Sequence, residues 1–309
     1  MKTLKYLLCG ITMCALACSS SKDDGDGPGK GASNTLKVMS FNVRYNSAND
    51  EGDKNWEVRK AAVVKMINTV QPDVVGLQEP RTAQRTFLKN NLPNYAYMEV
   101  PGTGDGKGGN TCLIYRQDRF TLVDNGYFFL SPTPDEPSRC WDVGDTQWRT
   151  SVWVHLKEKE TGKEFWFLST HMPVRTNSSF PNEPYIQARI NSANLNVERM
   201  KKLAGESGMC FIVGDMNCAE ANDDGKKALK PYRDWMKVGR DIAPAGDAYS
   251  FNNFGSGTAA PTRNLDHIFH RNTKMAVSFR TLTDNYGVTY VSDHYPILLT
   301  VLFCPEARI

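Results

Sequence analysis

Cys210-Phe211-Ile212-Val213-Gly214-Asp215-Met216-Asn217 is an apolar run that ends in a glycine, a carboxylate and a carboxamide. β-Branched and aromatic residues in a run of this length predict a strand that is buried on both faces. Asp215 and Asn217 would then lie at the carboxyl end of the strand, where open α/β sheets place their ligands. Gly, Asp and Asn also favour turns, so this segment alone is equally consistent with a turn. A site is favoured because acids and histidines adjoin other apolar runs in the same way.

The first part of the chain has a β-α-β pattern. Residues 36–44 alternate in polarity and predict a strand, and Trp56 to Val70 carries apolar residues at helical spacing. Residues 74–79 form a second apolar run, which ends in Glu79. Two strands joined through a helix favour a mixed or parallel sheet over an all-β fold.

The second half of the chain extends this α/β pattern. Residues 151–156 and 164–169 flank a Gly-containing turn and predict a hairpin, whose second arm leads into His171. Residues 190–204 have the apolar spacing of an amphipathic helix, which leads back to the strand before Asp215.

The charge balance excludes a global electrostatic attraction to nucleic acid or to an anionic membrane. The 309 residues include 37 Lys and Arg against 34 Asp and Glu, a net charge of +3. Lys2 and Lys5 belong to an N-terminal leader, and without them 35 basic residues face 34 acidic ones. Any preference for a polyanion must therefore come from a local basic patch.

Residues 1–17 predict a lipoprotein signal peptide. Two lysines precede an apolar stretch that is too short to span a bilayer as a helix, and small Ala17 precedes Cys18. This segment resembles a bacterial lipobox and implies lipidation of Cys18, with an ordinary secretory signal as the alternative. Residues 18–34, rich in Ser, Gly, Asp and Lys, predict a flexible tether, and residues 35–305 then form one domain. The expected location is the outer membrane, at the cell surface or on the periplasmic face.

Five cysteines remain in the predicted domain: Cys112, Cys140, Cys210, Cys218 and Cys304. They lack the paired spacing of a zinc site, and their odd number leaves at least one thiol unpaired within a monomer. The sequence does not assign any disulfide pairing among them.

Eight polar side chains adjoin the predicted strands: Asn42, Glu79, His171, Asp215, Asn217, Asp266, Asp293 and His294. If the fold gathers them in one cleft, four carboxylates repel one another, and each close pair costs on the order of 1 to 4 kcal/mol. A divalent cation would relieve this repulsion. Oxygen ligands without thiolates suit Mg²⁺ or Mn²⁺ rather than zinc. The two histidines are then available to contact a phosphate or to transfer protons.

Six short motifs carry a resemblance to a known family: Ser40-Phe41-Asn42-Val43, Leu77-Gln78-Glu79, Ser169-Thr170-His171, Gly214-Asp215-Met216-Asn217, Leu265-Asp266 and Ser292-Asp293-His294. In order and approximate spacing they resemble the endonuclease/exonuclease/phosphatase family, which includes DNase I-like nucleases, sphingomyelinases, inositol-polyphosphate phosphatases and deadenylases. The resemblance implies a four-layer α/β (α+β) sandwich, in which two packed mixed β-sheets are flanked by helices on both outer faces.

The resemblance also implies a catalytic set, His171, Asp215, Asn217, Asp266 and His294, and a metal-binding set, Asn42, Glu79 and Asp293. Asp215 would activate the attacking water, while Asn217 and His171 would contact the phosphate. His294, oriented by Asp266, would donate to the phosphoryl oxygen as negative charge develops. The glutamate of the metal-binding set would be the principal ligand.

Two arginines lie in segments that resemble a secreted bacterial and fungal branch of the family. Arg59 ends Trp56-Glu57-Val58-Arg59, and Arg149 follows Cys140-Trp141-Asp142. The resemblance implies that both arginines contact the substrate phosphate, and ordinary surface or intersheet pairing is the alternative.

The sequence therefore predicts a Mg²⁺- or Mn²⁺-dependent phosphoester hydrolase, with phosphodiesters favoured over monoesters. Its contact with the membrane would be the N-terminal lipid anchor. The alternatives are a nuclease that scavenges DNA or RNA, a sphingomyelinase-like lipid phosphodiesterase, and a non-catalytic surface-binding lipoprotein with the same fold. A long Lys/Arg groove would favour the nuclease, and an exposed aromatic hairpin would favour the lipid substrate.

Overall fold

Twelve strands and four α-helices form the part of the chain that the computed structural model describes, residues 34–100, 110–141, 143 and 148–303. The predicted signal peptide, Cys18 and Cys304 lie outside these residues. The strands are β1 Thr35–Asn42, β2 Val74–Gln78, β3 Tyr95–Glu99, β4 Thr111–Arg116, β5 Phe120–Phe129, β6 Thr150–Glu158, β7 Glu164–His171, β8 Cys210–Asp215, β9 Lys237–Val238, β10 Asp266–Arg271, β11 Ala276–Thr281 and β12 Ile297–Leu302. The helices are α1 Trp56–Val70, α2 Thr82–Asn91, α3 Glu183–Ala204 and α4 Asp223–Trp235, with short 3₁₀ helices at Gly52–Lys54, Gly239–Ile242, Asn253–Gly255 and Pro261–Arg263.

The strands form two six-stranded sheets. The first sheet has the order β11-β12-β1-β2-β4-β3, and the second has the order β5-β6-β7-β8-β10-β9. Each sheet is mixed, because β1 runs parallel to β2 and β7 runs parallel to β8, whereas the remaining pairs are antiparallel.

Apolar side chains on both faces of each sheet produce four layers. Along β1, Val38 lies in the cluster between the sheets, whereas Met39 packs with Val63 of α1. Along β8, Val213 lies between the sheets, whereas Ile212 belongs to the cluster that contains α3 and α4. This alternation follows from the two-residue period of a strand. The four-layer sandwich predicted from sequence is confirmed.

Most of the predicted elements occur in the structure. The helix predicted over Trp56 to Val70 is α1, the predicted hairpin is β6 and β7, and the helix predicted over 190–204 is the end of α3. The polar sequence of α4 and its Pro231 gave no helical signal, yet its Leu229 and Tyr232 are buried in the core. Packing of one apolar face stabilises this helix despite the proline. None of the helices described here is long and apolar enough to cross a membrane.

The candidate residues near the end of the chain precede their strands instead of following them. Asp266 is the first residue of β10, and Asp293 and His294 come before β12. Because β10 is antiparallel to β8 and β12 is antiparallel to β1, the starts of β10 and β12 lie beside the ends of β8 and β1. Both chain directions therefore bring polar residues to the same edge of the sandwich.

The cysteines of the described chain are all interior. Cys112, Cys140, Cys210 and Cys218 are buried, and Cys112, Cys210 and Cys218 are free thiols. They pack as small apolar side chains.

Gly76 of β2 marks a close approach of the two sheets beside the site. A Cβ atom at this position would lie 2.5 Å from Cγ2 of Val213 and 2.7 Å from Oγ of Ser169, both in the second sheet. In the same strand, Gln78 Nε2 donates to Ser169 Oγ over 3.2 Å. The absent side chain thus permits a buried hydrogen bond between the sheets.

Gly76→Ala should lower the free energy of unfolding by about 2 to 3 kcal/mol, because the added methyl group overpacks the intersheet contact. Gly162→Ala is the matched control. Gly162 has a φ of +72°, and the atom nearest to a Cβ added there would be Lys157 Cε, at 3.7 Å. The control should lose only about 1 kcal/mol, from backbone strain. Urea denaturation of both variants measures the difference, and equal losses would contradict the close approach of the sheets.

Candidate active site

Asn42, at the end of β1, connects acids from both sheets. Its Nδ2 donates to Glu79 Oε1 over 3.2 Å and to Asp215 Oδ2 over 3.0 Å. Glu79 follows β2 in the first sheet, whereas Asp215 ends β8 in the second. The structure therefore brings the metal-binding and catalytic sets of the sequence interpretation into one constellation.

Glu79 has a left-handed backbone conformation, with a φ of 69°. Its N–H donates to Asn110 O over 2.7 Å, and its Oε2 accepts from the N–H of Tyr45 over 3.1 Å. A non-glycine residue in this region costs on the order of 1 to 3 kcal/mol and persists where the surrounding structure holds it. These hydrogen bonds fix the direction of the carboxylate.

His294 is held between two buried aspartates. Its Nδ1 lies 2.7 Å from Asp266 Oδ2, and its Nε2 lies 3.7 Å from Asp215 Oδ2. Burial lowers the pKa of His294, but the carboxylates of Asp266 and Asp215 outweigh burial and hold its pKa well above the usual value. Burial raises the pKa of Asp215 to about 7, although His294 acts in the opposite direction. His294 is thus a cationic donor beside a carboxylate that can accept a proton near neutral pH.

The partner of His171 is a cation, whereas the partner of His294 at Nδ1 is a carboxylate. His171 Nδ1 lies 2.8 Å from Nη1 of Arg149. Because a guanidinium can only donate, Nδ1 must accept and the ring proton of neutral His171 must lie on Nε2. Burial lowers the pKa of His171 well below its usual value, and the charge of Arg149 lowers it further. His171 is therefore a neutral imidazole, and its protonated Nε2 atom lies 3.5 Å from Asp215 Oδ2.

Asn217 places a second donor next to that of His171. Its Nδ2 donates to Met172 O over 2.9 Å and lies 3.1 Å from His171 Nε2. Because the ring of His171 already accepts from Arg149, the contact between Nδ2 and Nε2 joins two donors and is not a hydrogen bond. Two N–H groups side by side provide a site for an anionic oxygen, such as one of a phosphate.

Asp293, the third residue of the predicted metal-binding set, lies near Glu79. Its Oδ1 lies 3.1 Å from Ser292 Oγ, and its Oδ2 lies 3.8 Å from Nη1 of Arg44. Burial raises the pKa of Asp293, and the negative charge of Glu79 raises it further. The two carboxylates thus share a site that favours an added positive charge.

Arg59 does not reach the surface of the site. Its side chain has no exposed area, and Nη1 donates to Val43 O over 3.0 Å and to Val291 O over 2.7 Å. The two valines are neighbours in sequence of Asn42 and Ser292. This placement indicates that Arg59 joins two loops of the site. It does not support the phosphate contact that the resemblance implied. Arg149 contacts His171 through Nη1, and its contact with a substrate phosphate stays a prediction.

Two groups of residues could hold a divalent cation. Asp215, Asp266 and His294 offer ligand atoms within 4.8 Å of one another, but Asp266 Oδ2 and His294 Nδ1 already form a hydrogen bond. In the first sheet, the carboxylate of Glu79 keeps lone pairs beyond those that accept from Asn42 and Tyr45. Glu79 and Asp293 therefore fit a hard cation with oxygen ligands better than the histidine group does. Asn42, the remaining residue of the predicted metal-binding set, turns its Nδ2 toward Glu79 and Asp215 and its Oδ1 toward the N–H of Arg44.

Two further residues, Ser292 and Phe251, support the site, although neither was assigned a role from the sequence. Ser292 Oγ donates to Asn42 O over 2.7 Å, which connects the loop before β12 to the end of β1. The ring of Phe251 lies 4.9 Å from that of His294, centroid to centroid. The serine stands beside Asp293-His294 in the sequence and could have been found there, whereas nothing in the sequence places Phe251 against His294.

Comparisons with known proteins agree with this geometry. The family model described as "Endonuclease/Exonuclease/phosphatase family" matches residues 39–294. Among solved structures, the mannosyl-6-phosphatase of Bacteroides thetaiotaomicron VPI-5482 is 29% identical, with a TM-score of 0.74 over 87% of this chain and 100% of that one. An endonuclease/exonuclease/phosphatase from Bacteroides vulgatus is 28% identical, with a TM-score of 0.73 over 86% of this chain and 98% of that one.

A viral protein is also similar in sequence. An uncharacterised protein of Acanthamoeba polyphaga mimivirus is 24% identical over 288 residues, which cover 85% of this chain and 99% of that protein. The family model covers strands of both sheets and all eight residues of the constellation. The chain belongs to the endonuclease/exonuclease/phosphatase family.

Proposed function

We propose that this protein is a divalent-metal-dependent phosphoester hydrolase of the bacterial cell envelope that prefers phosphodiesters to monoesters. The observation that carries the proposal is the position of Asp215, whose Oδ2 lies 3.5 Å from His171 Nε2 and 3.7 Å from His294 Nε2. A proton acceptor thus lies beside two imidazoles that can donate to a phosphate. Family membership supports phosphoester hydrolysis as the class of reaction.

Glu79 and Asp293 would hold the cation, Mg²⁺ or Mn²⁺, while the amide of Asn42 fixes the carboxylate of Glu79. When bound, such a cation neutralises charge on the phosphate and lowers the pKa of a water molecule. The donors are oxygens, and burial together with the negative charge of Glu79 raises the pKa of Asp293, so a cation at this position would stabilise its ionised form.

Asp215 would take the proton of the attacking water. Its Oδ1 accepts from the N–H of Asn217 over 2.9 Å, and its Oδ2 accepts from Asn42, so the carboxylate has a fixed direction. A general base is most effective with a pKa near the working pH, and burial brings the pKa of Asp215 to about 7.

The two histidines and Asn217 would bind the phosphoryl oxygens. Cationic His294 would donate through Nε2 while Asp266 holds Nδ1, and neutral His171 would donate through its own Nε2. The Nδ2 group of Asn217 would add a third donor. These donors are in place before the reaction, so they stabilise developing charge without reorganisation.

A sugar phosphate monoester is the second candidate substrate. It is favoured because the similar Bacteroides structure is described as a mannosyl-6-phosphatase. A nucleic acid substrate has less support, since two arginines beside the site bind protein side chains. Arg44 forms an ion pair with Asp50 at 3.0 Å, and Arg149 contacts His171.

The envelope location rests on the N-terminal sequence. Residues 1–17 have the pattern of a lipoprotein signal, and lipidated Cys18 would anchor the domain through the tether. The anchor would hold the site near an outer-membrane surface without a membrane-spanning segment.

Asp215→Asn should reduce kcat for bis-p-nitrophenyl phosphate by about 10²- to 10⁴-fold, because the attacking water loses its base. Wild-type activity should also be lost with EDTA and restored by Mg²⁺ or Mn²⁺. Asp241→Asn is the control, since Asp241 is exposed and pairs with Arg233 at 2.9 Å. A rate for Asp215→Asn within a few-fold of wild type would exclude this mechanism, and parallel assays with p-nitrophenyl phosphate separate diesterase from monoesterase activity.

Arg149→Met should lower kcat/KM roughly 10- to 100-fold, because His171 loses the donor that fixes its proton on Nε2. The pKa of His171 should rise in this variant, because the charge of Arg149 no longer lowers it. Arg149→Lys should retain most activity, since lysine is also a cationic donor.

Nitrogen-15 NMR of the histidine rings measures the same effect without turnover. His171 should carry its proton on Nε2 in the wild type and populate both tautomers in Arg149→Met. Arg280→Met is the control, because Arg280 is exposed and pairs with Asp284 at 3.6 Å. An unchanged tautomer and an unchanged pKa of His171 in Arg149→Met would show that Arg149 does not position His171.

A further inference from the structure

A cavity of about 430 Å³ lies beside His294 and has no place in the mechanism above. Four half-buried aromatic residues form much of its wall: Tyr249, Phe251, Tyr290 and Tyr295. Its volume falls within the range of small-molecule sites, which are commonly lined by aromatic rings with a few polar groups.

Hydrogen bonds connect the cavity wall rigidly to the catalytic segment. Phe251 and His294 form an antiparallel backbone bridge, and the N–H of Tyr295 donates to Ser250 O over 2.7 Å. The N–H groups of Asn252 and Asn253 both donate to Asp293 O over 2.9 Å. A group bound in the cavity would therefore have a fixed position relative to the reacting phosphate.

The charged residues of the wall are engaged within the protein. Asp247 accepts from Thr281 Oγ1 over 2.7 Å and pairs with Arg240 at 3.1 Å. Arg263 donates through Nε to Phe251 O over 2.8 Å and through Nη2 to Ser256 O over 3.0 Å. A second phosphate or a nucleic acid backbone would need cationic donors that point into the cavity.

Ring faces and phenolic hydroxyls are the remaining chemistry of the wall. The rings of Tyr290 and Tyr295 lie 6.0 Å apart at 43°, so they present two inclined faces. Aromatic faces pack on the C–H groups of a ring, and tyrosine hydroxyls exchange hydrogen bonds with its substituents. Neutral rings that carry several hydroxyl groups match this combination.

We propose that this cavity binds the sugar ring of the substrate, so that the protein hydrolyses sugar phosphates or phosphodiesters of sugars. The inference rests on the proposed phosphoester hydrolysis and adds its substrate class. Phe251 lines the cavity and its ring lies 4.9 Å from that of His294, so a sugar bound there would lie next to the donors of the active site.

Tyr249→Ala should raise KM for mannose 6-phosphate about tenfold, because the sugar loses one aromatic face. The same variant should hydrolyse methyl phosphate, which has no ring, within twofold of the wild-type kcat/KM. Thr283→Trp should have the same effect by filling the cavity, and it leaves every aromatic residue of the wall in place. Tyr127→Ala, at an exposed tyrosine of β5, is the matched control and should change neither substrate.

Saturation-transfer NMR with methyl mannoside tests the cavity without any reaction. Transfer should occur with wild type and Tyr127→Ala and be lost in Thr283→Trp. Sugar binding without hydrolysis of any phosphoester would leave the cavity assignment intact and refute the proposed function. Hydrolysis with equal losses for mannose 6-phosphate and methyl phosphate, or a KM effect confined to a nucleoside monophosphate, would overturn the sugar assignment.

Discussion

The side-chain amide of Asn42 donates to carboxylates of both sheets, and the rest of the site depends on these hydrogen bonds to Glu79 and Asp215. Acids that come together in a partly buried cleft repel one another, and a donor between them offsets part of that cost. The amide cannot turn, because its Oδ1 accepts from the N–H of Arg44 over 2.9 Å. The same hydrogen bonds at the end of β1 therefore connect the two sheets and fix the positions of the catalytic carboxylates.

The two histidines of the site, His171 and His294, have different charge states because their partners at Nδ1 differ. Asp266 favours the cationic form of His294, whereas Arg149 favours the neutral form of His171 with its proton on Nε2. Both rings are deeply buried, so their partners rather than solvent decide the protonation. The result is one strong cationic donor and one neutral donor on either side of Asp215, which limits the positive charge that a buried cleft must hold.

The sequence predicted the sandwich and the eight polar residues, but not the contacts that give each residue its state. The pattern of apolar residues predicted α1 and β8, because the buried positions of a helix recur at a regular spacing and a buried strand is a short continuous apolar run. The contact between Arg149 and His171 joins the residue before β6 to the last residue of β7, and no local sequence pattern encodes the register of these two strands. Arg59 shows the limit in the other direction, since its motif implied a phosphate contact and the fold buries the side chain under two loops.

Two of the residues with a left-handed backbone are site residues whose side chains glycine could not supply. Glu79 and Asn217 have φ values of 69° and 50°. Asparagine tolerates the left-handed region better than glutamate, so Glu79 bears the larger cost. A glycine would relax the backbone there but remove a carboxylate that accepts from Asn42 and Tyr45. Stability and function are therefore opposed at this residue, and the intersheet core supplies the free energy that keeps Glu79 in its strained conformation.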